Sequence, residues 1–306
     1  MSTMQTHLAE YLRLRRALGF QLVWPGHVLS QFVTWLEDTG SEAITTKAAI
    51  AWARLSTAAT PMTLSHRLGA VRGFARYLRS IDPTTEVPPT GVFGRQRRII
   101  PYIYSPDEIG RLVQAARGLH PPLRAATHEA LLGLLGASGM RVGEALRLRC
   151  EDVDLVAGVI RVRHGKFDRD RLVPLHPTTT EALRGYTVRR DRLCPQPSTD
   201  AFFVSTVGSA LRYERVRSAF GVLLVSAGLP TTPGGRPRIH DLRHSMVVNT
   251  LIDWQREGVD VASRLPVLST YLGHVNPAST YWYISAVPEL MQLAAEGLHR
   301  RLGDPR

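Results

Sequence analysis

Helical periodicity runs through most of this chain and fails in two places. The first failure is at residues 82–101, DPTTEVPPTGVFGRQRRIIP, where prolines and glycines crowd together and no apolar stripe continues. Proline has no N–H to donate and pushes the residue before it out of the helical region, so a helix does not cross such a stretch. The chain therefore divides into units at residues 1–82 and 102–306, joined by a basic linker at 83–101. The second failure is at residues 150–175, where apolar positions recur every second residue: Val153 and Leu155, Val159 to Val162, Leu172 to Leu175. Period two predicts three short antiparallel strands. The expected fold is mainly α: an all-α N-terminal domain followed by an α+β domain with one small three-stranded antiparallel sheet.

Four helices are expected before the linker. Leu8, Leu12 and Leu18 carry the first stripe, and Val28, Leu29, Phe32, Val33, Trp35 and Leu36 carry the second. Ile50 and Trp52 mark a shorter third, and Thr60-Pro61 opens a fourth with Leu64, Leu68, Val71, Phe74, Ala75 and Leu78 on one side. The other side of that helix bears His66, Arg67, Arg72, Arg76 and Arg79, and the linker adds Arg95, Arg97 and Arg98. Charges on a helix are usually a solvated face. Lys and Arg total 38 against 26 Asp and Glu, a net charge of +12. Such a surface attracts polyanions, although the same excess also serves solubility. The two cysteines, Cys150 and Cys194, have neither metal-ligand spacing nor the pattern of a disulfide framework. No apolar run has the length of a membrane span and the N-terminus lacks a signal-peptide core, so a cytoplasmic protein is expected.

After the linker, Ser105-Pro106-Asp107-Glu108 has the form of a capping box with proline at the first helical position. A leucine- and alanine-rich helix over residues 124–136 reads as buried, and Gly139 then breaks the chain ahead of a new helix with Arg141 in its first turn. Lys166 lies near the tip of the turn between the second and third strands. Helices follow over residues 178–193 and 213–227, with a brief buried segment at Phe202 to Val204 between them, and an amphipathic helix over 289–300 ends the chain.

Residues 236–283 hold the chemistry. His240 and Arg243 lie three apart at the start of an apolar-periodic run, so they share a face near a helix N-terminus, where free N–H groups favour an anion. His274 follows Tyr271-Leu272-Gly273, and Tyr283 comes nine residues later. Two histidines, an arginine and a phenol suit phosphoryl chemistry without a metal: arginine and histidine donate hydrogen bonds to phosphate oxygens, and a phenol can be the nucleophile. Each has an ordinary role when taken alone. Arg141 and Lys166 are surface charges, His240 buttresses its helix, and Tyr283 joins Tyr281 and Trp282 in an aromatic cluster. Glu144 and His244 read as structural support, His244 pointing only partly away from the His240 and Arg243 face. Asp241 and Asp152 suggest a two-carboxylate nuclease site, but no further acid accompanies them.

The ordered set HisAspLeuArgHis, LeuGlyHis and a tyrosine nine residues on resembles the tyrosine recombinase (phage integrase) family. The resemblance is strongest over residues 137–283 and implies a helical, SAM-like core-binding domain and a catalytic domain that together clamp double-stranded DNA. It implies a site of Arg141, Lys166, His240, Arg243, His274 and Tyr283, all of the expected types. Tyr283 would attack the scissile phosphate to give a 3′-phosphotyrosyl link, with His240 accepting its proton. Arg141 and Arg243 would clamp the non-bridging oxygens, Lys166 protonate the 5′-oxygen, and His274 bind a phosphate oxygen. The link stores the phosphodiester energy, so no cofactor is expected. The expected partners are DNA and a tetramer, of this chain alone or mixed with related recombinases. The TyrTrpTyrIle…ProGluLeuMet ending resembles members borne by transposons. Arg67, Arg72, Arg76, Arg95, Arg97 and Arg98 are the expected DNA contacts. The rival readings are a type IB topoisomerase, which shares this chemistry, and a DNA-binding accessory protein without catalysis.

Overall fold

Thr45 and Thr60 show how the first helices begin, each hydroxyl accepting from a backbone N–H three residues on, Ala48 and Thr63. The computed structural model describes residues 3–41, 43–56, 59–94, 101–163, 170–230, 237–273 and 283. The chain splits into two compact units, Met1–Ile99 and Ile100–Arg306. In the first, helices α1 (Thr3–Ala17), α2 (Val23–Asp38), α3 (Thr46–Arg54) and α4 (Pro61–Leu78) surround one core. Phe32, Leu36, Trp52, Leu68, Val71 and Phe74 are buried in it, as their spacing predicts. Leu18 is not, because α1 stops at Ala17 and leaves it 63% exposed.

Part of the expected linker belongs to this unit. Thr85 is buried, Glu86 donates its N–H to the Ile44 carbonyl at 2.8 Å, and Val87, Val92 and Phe93 lie against the helical core. Arg72 reaches out to the carbonyls of Pro88 (2.7 Å) and Pro89 (2.5 Å). Prolines stop a helix but leave their carbonyls available, and an arginine fork can collect two at once.

The second unit opens with the capping box, in which the Ser105 hydroxyl and the Glu108 carboxylate satisfy each other's backbone N–H at the start of α5 (Pro106–Arg117). Helix α6 (Pro122–Ser138) is buried on nearly every side, consistent with its lack of a polar face. A four-residue helix α7 (Val142–Ala145) leads to strands β1 (Val153–Asp154), β2 (Val159–Val162) and β3 (Arg171–Pro174), an antiparallel sheet in the order β1-β2-β3. Ile160 pairs with Val153 on one side and Val173 on the other, and Ile160, Val162 and Val173 face the core. Helices α8 (Pro177–Leu193) and α9 (Tyr213–Ser226) complete the main core with Tyr104, Leu131, Leu134, Tyr186 and Phe203. Helices α10 (Asp241–Arg256) and α11 (Val261–Leu272) build a smaller core of Val247, Val248, Leu251, Leu265, Leu268 and Leu272, and Tyr283 is part of it. The expected helix over 289–300 lies outside the described residues.

Candidate active site

Helix α6 ends at Gly139, whose φ of +61° is in the left-handed region open to glycine, and a Cβ there would meet Met246 Sδ at 3.0 Å. This turn aims the Gly139 carbonyl at Arg243, which donates to it at 2.7 Å. A second N–H group of Arg243 donates to the Leu272 carbonyl at the end of α11, also at 2.7 Å. One guanidinium thus ties the ends of two helices to the start of α10, and only 3% of the residue is exposed.

Arg141 follows directly and donates to Glu144 at 2.8 Å. The same carboxylate accepts two bonds from Arg171 on β3, at 2.7 and 3.2 Å, while Arg171 Nε donates to the Tyr271 carbonyl at 3.0 Å. Burial alone would raise the Glu144 pKa, but the hydrogen bonds and charge of Arg171, then of Arg141, outweigh it and bring it down to about 2. Burial, then the Arg141 charge, lowers the Arg243 pKa to about 10, so the group is still cationic at neutral pH. Among the described residues, Arg141, Arg171 and Arg243 against Glu144 leave an excess of two positive charges. An excess of this kind away from bulk water calls for an anion.

The histidines stand beside these arginines. His240 caps α10 and reaches solvent; the protein packed around it, then the Arg243 charge, lowers its pKa. His244 lies one turn on and half-buried, its ring edge-to-face with His240 at 4.9 Å between centroids. Burial, then His240, takes its pKa down to about 4. Its Nδ1 is 2.6 Å from the hydroxyl of Tyr283, a residue only 3% exposed. The first turn of α10 is fixed by Asp241, buried and accepting from the Arg238 backbone N–H at 2.8 Å and side chain at 2.7 Å.

Arg141, His240, Arg243 and Tyr283 thus come together, while Lys166 and His274 lie outside the described residues. His240, the base expected from the sequence, stands beside Arg243, and the imidazole within hydrogen-bond distance of the phenol is that of His244. Residues four apart share a helix face, so the two histidines stand side by side on α10. Arg171 was missed altogether, because a lone arginine at a strand start gives no sign of a partner 27 positions earlier. The arginines expected on DNA have varied surroundings. Arg67 lies 3.9 Å over the Trp52 ring, Arg72 holds the Pro88 and Pro89 carbonyls, and Arg76 is exposed. Arg95, Arg97 and Arg98 lie outside the described residues.

The sequence matches the phage integrase family over residues 103–289, a span that contains every member of this cluster. The chain belongs to that family. It is 41% identical over 312 residues to a protein of Sinorhizobium fredii that bears the name integrase/recombinase y4rB, with 99% of each covered. It is 28% identical over 228 residues to tyrosine recombinase XerC of Lactobacillus delbrueckii subsp. bulgaricus, covering 72% of this chain and 71% of that one. Among solved structures, the Tn1549 transposon integrase with transposon right end DNA superposes with a TM-score of 0.69 at 16% identity, over 99% of this chain and 100% of that one. The XerH recombinase bound to a palindromic difH substrate after cleavage gives 0.65 at 19% identity, over 88% and 77%. The fold is that of the tyrosine recombinases, and the class of reaction that goes with the family is breaking and rejoining of DNA strands.

Proposed function

We propose that this chain is a site-specific recombinase whose Tyr283 attacks the scissile phosphate. The bond from the phenol oxygen to phosphorus forms as the bond from phosphorus to the 5′-oxygen breaks, giving a 3′-phosphotyrosyl link and a free 5′-hydroxyl. Attack by another 5′-hydroxyl reverses the step and rejoins the strand. Arg141 and Arg243 take the non-bridging oxygens, His240 sits on the solvent side beside them, Lys166 protonates the leaving oxygen, and His274 binds a phosphate oxygen. The observation that carries this reading is the phenol of Tyr283 in one cluster with Arg141, Arg243, His240 and His244. Preorganised donors aimed at developing charge are worth about 10²–10³ in rate each.

The reaction would run on paired sites in a tetramer, of this chain or with related recombinases, to move a mobile element within the cytoplasm. The names of the S. fredii relative and of the Tn1549 integrase support that setting. A nicked duplex that traps the cleaved strand tests the nucleophile. Wild type and Tyr281→Phe should give a detergent-stable protein–DNA adduct and Tyr283→Phe none, with DNA binding retained. An adduct from Tyr283→Phe would overturn the assignment.

A further inference from the structure

We propose that His244 is a catalytic residue: its Nδ1 receives the proton of the Tyr283 hydroxyl as the oxygen attacks phosphorus, and returns it to the phenolate on rejoining. This rests on Tyr283 being the nucleophile. In the cleavage step the proton moves from the phenol to Nδ1 of His244, and the 5′-oxygen departs with the proton assigned above to Lys166. In the return step both protons go back, so charge and atoms balance over the cycle.

Two observations carry the inference. The hydroxyl-to-Nδ1 distance of 2.6 Å is within the reach a general base needs. Tyr283 belongs to the small core of Val247, Val248, Leu251 and Leu272, and its ring centroid lies 5.5 Å from that of His244. Among the described residues, His240, Asp241, Arg238, Arg243 and Tyr283 face His244. Burial, and after it the charge around the ring, keeps the imidazole neutral, with a lone pair to offer, but also makes it a weak base.

A phosphodiester changes that balance. An anion beside Arg243 offsets the part of the shift that its charge causes, so His244 becomes a better base when the scissile phosphate is in place. The nucleophile would then be activated by its own substrate and stay protonated in the unoccupied enzyme.

The test uses the full chain on the trapping duplex, with adduct formation followed in single turnover and DNA binding followed separately. His244→Ala should slow adduct formation by about 10²–10⁴, the range of general base catalysis, with DNA affinity within a few-fold of wild type. His244→Asn, whose amide can stand where Nδ1 stood but does not take a proton, should remain at least ten-fold slow. Installing a fluorinated tyrosine at position 283 makes the phenol more acidic and should shrink the loss caused by His244→Ala. Full rate in His244→Asn, or an equal loss with tyrosine and fluorotyrosine, would leave His244 without a proton-transfer role and overturn the inference. If His244→Ala binds DNA poorly, the His244→Asn and fluorotyrosine comparison decides alone. Failure of the parent reading is separate, because it shows as an adduct that survives Tyr283→Phe.

Discussion

Glu144 is the carboxylate that lets Arg141 and Arg171 stand side by side. Its carboxylate accepts from Arg141 and twice from Arg171, and it is almost wholly buried. Because its folded pKa lies near 2, below the value of 4.5 expected when unfolded, the ionised form stabilises the fold. That contribution is fully present above pH 4.5 and is lost as pH falls towards 2. Each unit of pKa corresponds to about 1.4 kcal/mol, which makes the term about 3 kcal/mol at neutral pH. Glu144→Gln is therefore expected to cost about 3 kcal/mol in urea unfolding at pH 7, and more if Arg171 is left unpaired. The gap between variant and wild type should narrow steadily below pH 4.5; a gap that stays constant to pH 2 would show that the charge of Glu144 is not what stabilises the site.

At the level of elements, the site depends on how α6 ends. Gly139 has φ +61°, and any Cβ there would be 3.0 Å from Met246 Sδ. Gly139→Ala should cost about 1–2 kcal/mol from the left-handed backbone alone, before the contact with Met246 is relieved. The carbonyl that holds Arg243 belongs to the same residue, so the variant should lose cleavage rate as well as melting temperature. A variant that melts lower yet cleaves like wild type would show that Arg243 does not need this tether. This turn also marks the limit of what sequence could tell. The capping box of α5, the alternating strands and the apolar stripes are local patterns, written within a few residues of where they act. Arg141, His240, Arg243 and Tyr283 were expected from the resemblance to the family, and the fold brings these four together. The Arg171 fork, the His244 contact with Tyr283 and the proline carbonyls held by Arg72 were not, because each joins residues 16 to 39 positions apart through tertiary packing. A lone arginine or histidine gives no hint of a partner that only the fold supplies.

For the whole molecule, the net charge of +12 sets how it meets DNA. Each phosphate neutralised by a lysine or arginine releases condensed counterions, so the logarithm of affinity should fall linearly with that of salt, by about 0.9 per contact. The arginines of α4 let this be resolved residue by residue, because their surroundings differ. Arg76 is exposed, whereas Arg67 stacks on Trp52 and Arg72 holds two carbonyls of the segment packed on the helical unit. If the face of α4 lies against the DNA backbone, Arg76→Ala should weaken binding uniformly across sequences and lower the salt slope by about 1, with no change in melting temperature. Arg67→Ala and Arg72→Ala should instead destabilise the N-terminal unit, by about 0.5–2 kcal/mol for the cation over the indole and about 1 kcal/mol or more for the two carbonyl bonds. Fluorescence anisotropy on the full chain at four or five salt concentrations, beside thermal melts of the same variants, separates the two classes. An unchanged slope in Arg76→Ala would take α4 off the DNA and leave the linker arginines Arg95, Arg97 and Arg98 as the next residues to substitute.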